Sequence, residues 1–315
     1  MSAPERTAAP EADWSRAPER SNRHALRAMC WGAVTFGRRF ARCILHPISA
    51  YFVLAAPGPR RHARAYLGRV LGRPAGWRDL YRLFHAFAAT ILDRVYFLRG
   101  AAGLLDVRVQ GAESLTQALE SGQGAFLVGA HMGSFEAIGF AGRQRGGIRV
   151  AMVMYPDNAR QVNAALDAIA PGADRCAIIA LGRSSAMLAL RDWLDEGGVA
   201  GLLADRTLAE AARRDDMVML PFLGQPAPFG DGPFRLAALL RRPVFFMAGL
   251  YRGDNRYDVV FEPLADFSTP SADGAERERR IRAALCDYVA RLEALCRAHP
   301  YNWFNFHDFW HEDGP

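Results

Sequence analysis

The stretch "LVGAHMGSFEAIG", residues 127–139, ends one apolar run at a histidine and opens another with a glutamate. His131 and Glu136 are the side-chain types of a general base and its orienting carboxylate. A carboxylate on one ring nitrogen fixes the tautomer, leaves the other nitrogen free to take a proton, and stabilises the imidazolium that forms. On a continuous helix, residues five apart lie about 140° around the axis and do not face each other. The sequence therefore predicts His131 at a strand end, Gly133-Ser134 in a turn, and Glu136 in the first turn of a helix. There the two would converge at the carboxyl edge of a sheet, where open α/β folds take ligands. The same residues also fit a histidine satisfied by a backbone carbonyl, with Glu136 only favouring a helix start.

The elements around that stretch alternate. "DVRVQG", "GAFLVGA", "IRVAMVMY", "CAIIAL" and "VAGLLAD" read as strands, each of the first four followed by a helical pattern, including one over 157–169. Leu80, Leu83, Phe84, Phe87, Ile91 and Val95 recur at threes and fours, which predicts a helix from Tyr66 to Gly100. The stretch "LPFLGQPAPFGDGP" reads as a loop. Helix 233–241, the strands "PVFFMAGLY" and "YDVVFEPL", and a helix over 274–298 follow. The expected class is α/β, a mixed sheet covered by helices, with a helical N-terminal extension. The expected division is a disordered tail over 1–13, a helical membrane-associating region over 14–100 and an α/β domain over 101–315.

Other signatures fail. The elbow G-x-S-x-G is absent, H-E-x-x-H is absent, and "SGQGAFLVGA" misses G-x-G-x-x-G and precedes its strand. The chain has no lysine, which excludes Schiff-base chemistry and the phosphate-loop lysine. Its five cysteines include no C-x-x-C pair, which argues against structural zinc and a disulfide framework. With no serine or cysteine nucleophile in view, the simplest chemistry is attack by a substrate hydroxyl that His131 deprotonates.

The net charge of +6 and pI of about 9.3 favour anionic partners such as phospholipid surfaces or an acidic carrier protein. Between Ala25 and Ala56, two apolar pieces flank Arg38, Arg39 and Arg42. Neither reaches the roughly 20 residues of a membrane span, and the arrangement suits a helix in the headgroup layer or two ordinary core helices.

"HMGSFE" matches the H-x-x-x-x-D/E motif of glycerolipid and lipid A acyltransferases. In order along the chain, "FGRRFARCILHPISAYFVL", "YRLFHAFAATILDRVYFL", "LLADRT", "LPFLGQPAPFGDGPFRLA" and "HPYNWFNFHDFW" resemble the late lipid A (lauroyl/myristoyl-type) acyltransferases. The N-terminal blocks look most like the branch linked to aryl polyene lipid biosynthesis, and the resemblance covers about Trp14 to Trp310. It implies a glycerolipid acyltransferase-like fold. It implies O-acyl transfer from acyl carrier protein or coenzyme A to a lipid or glycolipid hydroxyl, with His131 as base and Glu136 as its orienter. No cofactor beyond that thioester co-substrate and no nucleic acid is implied. The expected partners are acyl carrier protein, a lipid acceptor and an anionic membrane surface. The expected place is the cytoplasmic face of the inner membrane, peripheral or monotopic.

Asp205 and Arg206 stand where the resembling family has a strand-end "DQ" pair, which implies substrate contact; arginine here is a departure. Phe222 and Gly224 match the family's acyl-site loop. Two other pairs invite a metal, His307 with His311 and Asp215 with Asp216, and the aromatic tail reads as a membrane-interface or packing surface. Two rival functions stay open: a metal-dependent glycosyl- or phosphotransferase, and a non-catalytic lipid-binding protein.

Overall fold

The computed structural model describes residues 31–32, 35–144, 148–155, 176–182, 184–206 and 217–310. Among the described residues the named elements run from α1 (Gly37–Ala55) through α2 (Pro57–Leu71) and α3 (Trp77–Leu98). Strand β1 (Asp106–Gln110), α4 (Ala112–Leu119), β2 (Ala125–Gly129) and α5 (Phe135–Gln144) follow. Then come β3 (Val150–Met154), β4 (Ala177–Ala180), α6 (Ser184–Asp195) and β5 (Val199–Leu203). The hairpin of β6 (Met217–Phe222) and β7 (Gln225–Gly230) leads to α7 (Gly232–Leu240), β8 (Pro243–Gly253), β9 (Arg256–Asp266) and α8 (Gly274–Ala298).

Seven strands pair in the order β1-β9-β8-β2-β5-β3-β4. All neighbours are parallel except β8 and β9, which form a long antiparallel hairpin. The central strand β2 is buried at every position, as a parallel strand covered on both faces must be. This is the expected mixed α/β sheet. The expected helix 157–169 and the tail 1–13 lie outside the described residues.

Two expectations change. The helix expected from Tyr66 to Gly100 is two helices, because Gly72 caps α2 in the left-handed region (φ +64°) and Pro74 follows. The last residues of the expected loop at 220–233 open α7, and the rest, as far as Gly230, is instead a two-stranded hairpin. Its prolines sit across from each other or from Met219, which a ribbon with open outer edges tolerates. Leu223 and Gly224 both take positive φ at its two-residue turn, the backbone that a tight hairpin needs.

Helix α1 is bolted to α3 by charge. Arg38 makes a paired contact to Asp93, Nε to Oδ1 at 2.8 Å and Nη2 to Oδ2 at 2.9 Å. The Tyr257 hydroxyl donates to the same carboxylate at 2.9 Å, and Arg42 Nη1 lies 3.9 Å away. Asp93 is fully buried. Arg38 and Arg42 therefore face inward, a correction to their expected place among headgroups, while Arg39 stays exposed. The outward face is apolar, with Phe36, Phe40, Ile44, Tyr51 and Leu54 all exposed. Among the described residues no single helix is long and apolar enough to cross a membrane; α1 and α2 meet at a bend of 94°. The helices and the sheet share one hydrophobic core.

Losing Asp93 would leave the half-buried guanidinium of Arg38 and the buried Tyr257 hydroxyl without their shared acceptor. Asp93→Ala should cost about 3–5 kcal/mol, the usual result of breaking a buried pair, whereas Arg39→Ala should change stability by less than about 0.5 kcal/mol. Urea unfolding of the full chain checks both; equal midpoints would refute the bolt.

Candidate active site

His131 lies two residues beyond the end of β2. Gly129 ends the strand, and its carbonyl accepts the Ala204 N–H at 2.9 Å and the Tyr288 hydroxyl at 2.9 Å. The chain then turns at Gly133 (φ +64°), where a Cβ would lie 1.9 Å from the Gly249 carbonyl oxygen. Only glycine fits so close to β8. Ser134 donates its backbone N–H to that same oxygen at 2.7 Å. Its hydroxyl accepts the Ala137 N–H at 3.2 Å and so caps α5.

The carboxylate that holds His131 is Asp205. The ring Nδ1 lies 2.8 Å from Asp205 Oδ1, and the backbone N–H of His131 donates to Oδ2 at 3.0 Å. The Trp303 indole N–H donates to Oδ2 as well, at 2.8 Å. An ionised carboxylate only accepts, so Nδ1 carries the proton and Nε2 is the free base. Burial pushes the Asp205 carboxyl up. The charge and hydrogen bond of His131, then Arg206 and Trp303, outweigh that and hold it well below the usual carboxylate range.

Glu136 is engaged elsewhere. Its Oε1 lies 2.6 Å from Arg94 Nε, and its Oε2 accepts the Ser134 hydroxyl at 3.3 Å. The Arg94 pair is an ion contact whose N–H does not aim at the oxygen. The expected hydrogen bond between Glu136 and His131 is thus replaced by Asp205 on one side and Arg94 on the other. The register explains it. Strands β2 and β5 are parallel neighbours with Gly129 opposite Leu203, so two residues on from each brings His131 opposite Asp205.

These residues border a cleft of about 410 Å³. Thr90 and Arg94 of α3, His131, Glu136, Arg206 and His307 line its polar part. Phe87, Ile91, Phe135, Leu203, Met247 and Phe304 supply apolar wall. Arg206 lines it too: its Nη2 donates to the Phe304 carbonyl at 3.1 Å, and its buried Nε–H has no hydrogen-bond partner among the described residues. Burial lowers the Arg206 guanidinium from its usual value, and the charge of Asp205 acts the other way.

Three site expectations are corrected. Asp205 is 2% exposed, bonded to His131 and absent from the cleft lining, so it holds the histidine where a substrate contact was expected. Phe222 is fully buried against Trp303, Phe229 and Phe309 and does not line the cleft. Gly224 forms the hairpin turn, outside the cleft. The tail aromatics Trp303, Phe304 and Phe309 are buried and serve packing. Asp215, Asp216 and His311 lie outside the described residues.

Residues missed by the sequence reading sit in that tail. Asn302 inserts between strands, accepting the Tyr251 N–H at 2.7 Å and donating to the Tyr251 carbonyl at 3.1 Å. Its own carbonyl accepts the Gly133 N–H at 3.0 Å, and Phe304 N–H donates to the His131 carbonyl at 2.9 Å. The segment is a clamp on the histidine turn.

The structure therefore presents a mixed α/β sheet whose open end carries a histidine, held by a buried carboxylate, over a largely apolar cleft. A profile of the bacterial lipid A biosynthesis acyltransferases matches residues 15–312, and the chain belongs to that family. It is an acyltransferase of a family that acts on lipid. No curated protein matches the chain in a sequence search.

The site also sets an acid limit on stability. Burial, then Arg206, pushes His307 down to about 3; burial, then His46 and Arg42, pushes His85 down to about 4. Both rings are neutral when folded and charge near pH 6.5 when unfolded. The unfolded chain binds more protons in this window, so stability is full above pH 6.5 and falls as pH drops through the window. The melting temperature should decline over that range, and His307→Gln should flatten part of the slope. An unchanged slope in the variant would show that His307 takes a proton without cost to the fold.

Proposed function

We propose that the chain transfers a fatty acyl group from an acyl carrier protein or coenzyme A thioester to a hydroxyl of a lipid or glycolipid acceptor. The observation that carries this reading is His131, held by Asp205 with Nε2 left free, beside a largely apolar cleft of about 410 Å³. The acceptor hydroxyl gives its proton to Nε2 and attacks the thioester carbonyl. A tetrahedral oxyanion forms, and the charged guanidinium of Arg206, in the wall of the cleft, is the group we assign to stabilise it. The oxyanion collapses, the carbon–sulfur bond breaks, and the imidazolium returns its proton to the leaving thiolate. Asp205 stabilises that imidazolium throughout. Glu136 fixes Arg94 in the cleft wall and acts on the histidine only from a distance.

Both rival readings are weaker. A metal-dependent transferase built on Asp205 would need its oxygens, which His131 and Trp303 already occupy. A passive lipid binder has no need of a buried carboxylate aimed at a histidine. The resemblance to the aryl polyene branch supports a lipid acceptor of that kind, with lipid A and glycerolipids as the other acceptors.

The membrane part of the reading rests on the outward face of α1. Its exposed aromatic and aliphatic side chains, with exposed Trp77 and the arginines Arg60 and Arg64 stacked on it, suit the interface of an anionic bilayer. We infer attachment at the cytoplasmic face of the inner membrane, peripheral or monotopic, as the family resemblance implies. Vesicle flotation should fall at high salt as headgroup attraction is screened. Binding that survives salt and alkaline carbonate would point to an inserted segment instead.

The chemistry is tested by three variants assayed with a saturating thioester donor. His131→Ala and Asp205→Asn should each lower turnover on the order of 10²-fold or more. Glu136→Gln should cost less than either, because it disturbs Arg94 and not the base. Thermal unfolding is measured alongside, to separate chemistry from folding. Near-normal turnover in His131→Ala ends the proposal; a larger loss from Glu136→Gln than from Asp205→Asn would return the orienting role to Glu136.

A further inference from the structure

We propose that Ile138 sets the length of the acyl chain the cleft accepts, by closing it against a second apolar cavity beneath α5. This rests on the reading of the cleft as the acyl site. Ile138 lines both spaces. On the catalytic side it shares the wall with Phe135, Leu203 and Met247. On the far side is a void of about 10 Å³, bounded by Leu115, Leu127, Ile148, Val150 and Phe261. That space is about the size of one water probe, and its side chains offer no polar partner, so it stays dry.

The position of Ile138 is built in. Helix α5 begins four residues after His131, and Phe135 and Ile138, three apart, share the face toward the cleft. A chain whose carbonyl lies at His131 therefore meets Ile138 one helical turn along α5. Bare backbone at Gly249 admits the side chain: a Cβ there would lie 3.2 Å from Ile138 Cγ1. Ile138 is 4% exposed and packed on both sides, so it is a fixed stop and not a swinging one.

Truncating the stop joins the two spaces. Ile138→Ala removes three carbons and opens the void, so the preferred donor should lengthen by about two methylenes. Each buried methylene is worth about fourfold in affinity, so the ratio of the longer to the original donor should rise roughly 15-fold. Ile138→Val removes one carbon and should shift the ratio about fourfold in the same direction.

The test offers the full-length protein an equimolar mixture of saturated thioesters, octanoyl to stearoyl, on acyl carrier protein and separately on coenzyme A. The acceptor is the membrane lipid extract of cells lacking the protein, and products are counted by mass spectrometry. A shift to longer chains in Ile138→Ala, and a smaller one in Ile138→Val, supports the stop. An unchanged chain-length profile in a folded Ile138→Ala overturns it. Should that variant not fold, an unchanged profile in Ile138→Val overturns it equally. Wild-type protein that transfers no acyl group from either carrier defeats the underlying reading of the cleft, a different result from an unchanged profile.

Discussion

A buried carboxylate needs its charge answered on every side, and Asp205 is answered by three N–H groups from two distant parts of the chain. Its oxygens take the ring and backbone N–H of His131 from the end of β2 and the indole of Trp303 from the C-terminal segment. Asp205 itself follows β5. Removing any donor would strand part of a charge in the interior, where such a loss is expensive. One ion thus holds two strand ends and the tail in a single arrangement. The rotamer of the histidine, the rim of the cleft and the placing of Phe304 all derive from it.

The sheet was legible because its strands announce themselves. Buried runs such as "AFLVG" and "VAGLL" alternate with helical patterns, and nearly every strand expected from them is present within one or two residues. His131 was legible for the same reason, as the first polar residue after a buried strand. Its partner was not. Asp205 lies 74 positions away, and only the pairing of β2 with β5 brings the two together. Strand order is a property of the whole sheet, and a single sequence does not print it. A signal existed all the same: two strands, each followed at the second residue by a polar side chain, one a base and one an acid.

The other differences have equally local causes. Composition marked Pro221, Pro226 and Pro228 as loop residues, yet a two-stranded ribbon has outer edges where a missing N–H does no harm. Arg38 and Arg42 carried a surface label because charge usually seeks water. Asp93, an acid in the middle of an otherwise apolar helix face, reversed that label. The aromatic tail was ambiguous by composition alone, since indole and phenyl rings suit an interface or a core equally well. The backbone bonds of Asn302 and Phe304 decide for the core.

Helix α3 carries Asp93 and Arg94 side by side. The first grips α1 through Arg38, and the second meets Glu136 in the wall of the cleft. The outermost helix and the reaction space are therefore joined by two consecutive residues of a rigid rod, with the sheet bypassed. Any displacement of α1 that the Arg38–Asp93 contact transmits would reach the cleft through that rod. What the outer helix rests upon becomes, in mechanical terms, part of the catalytic chamber.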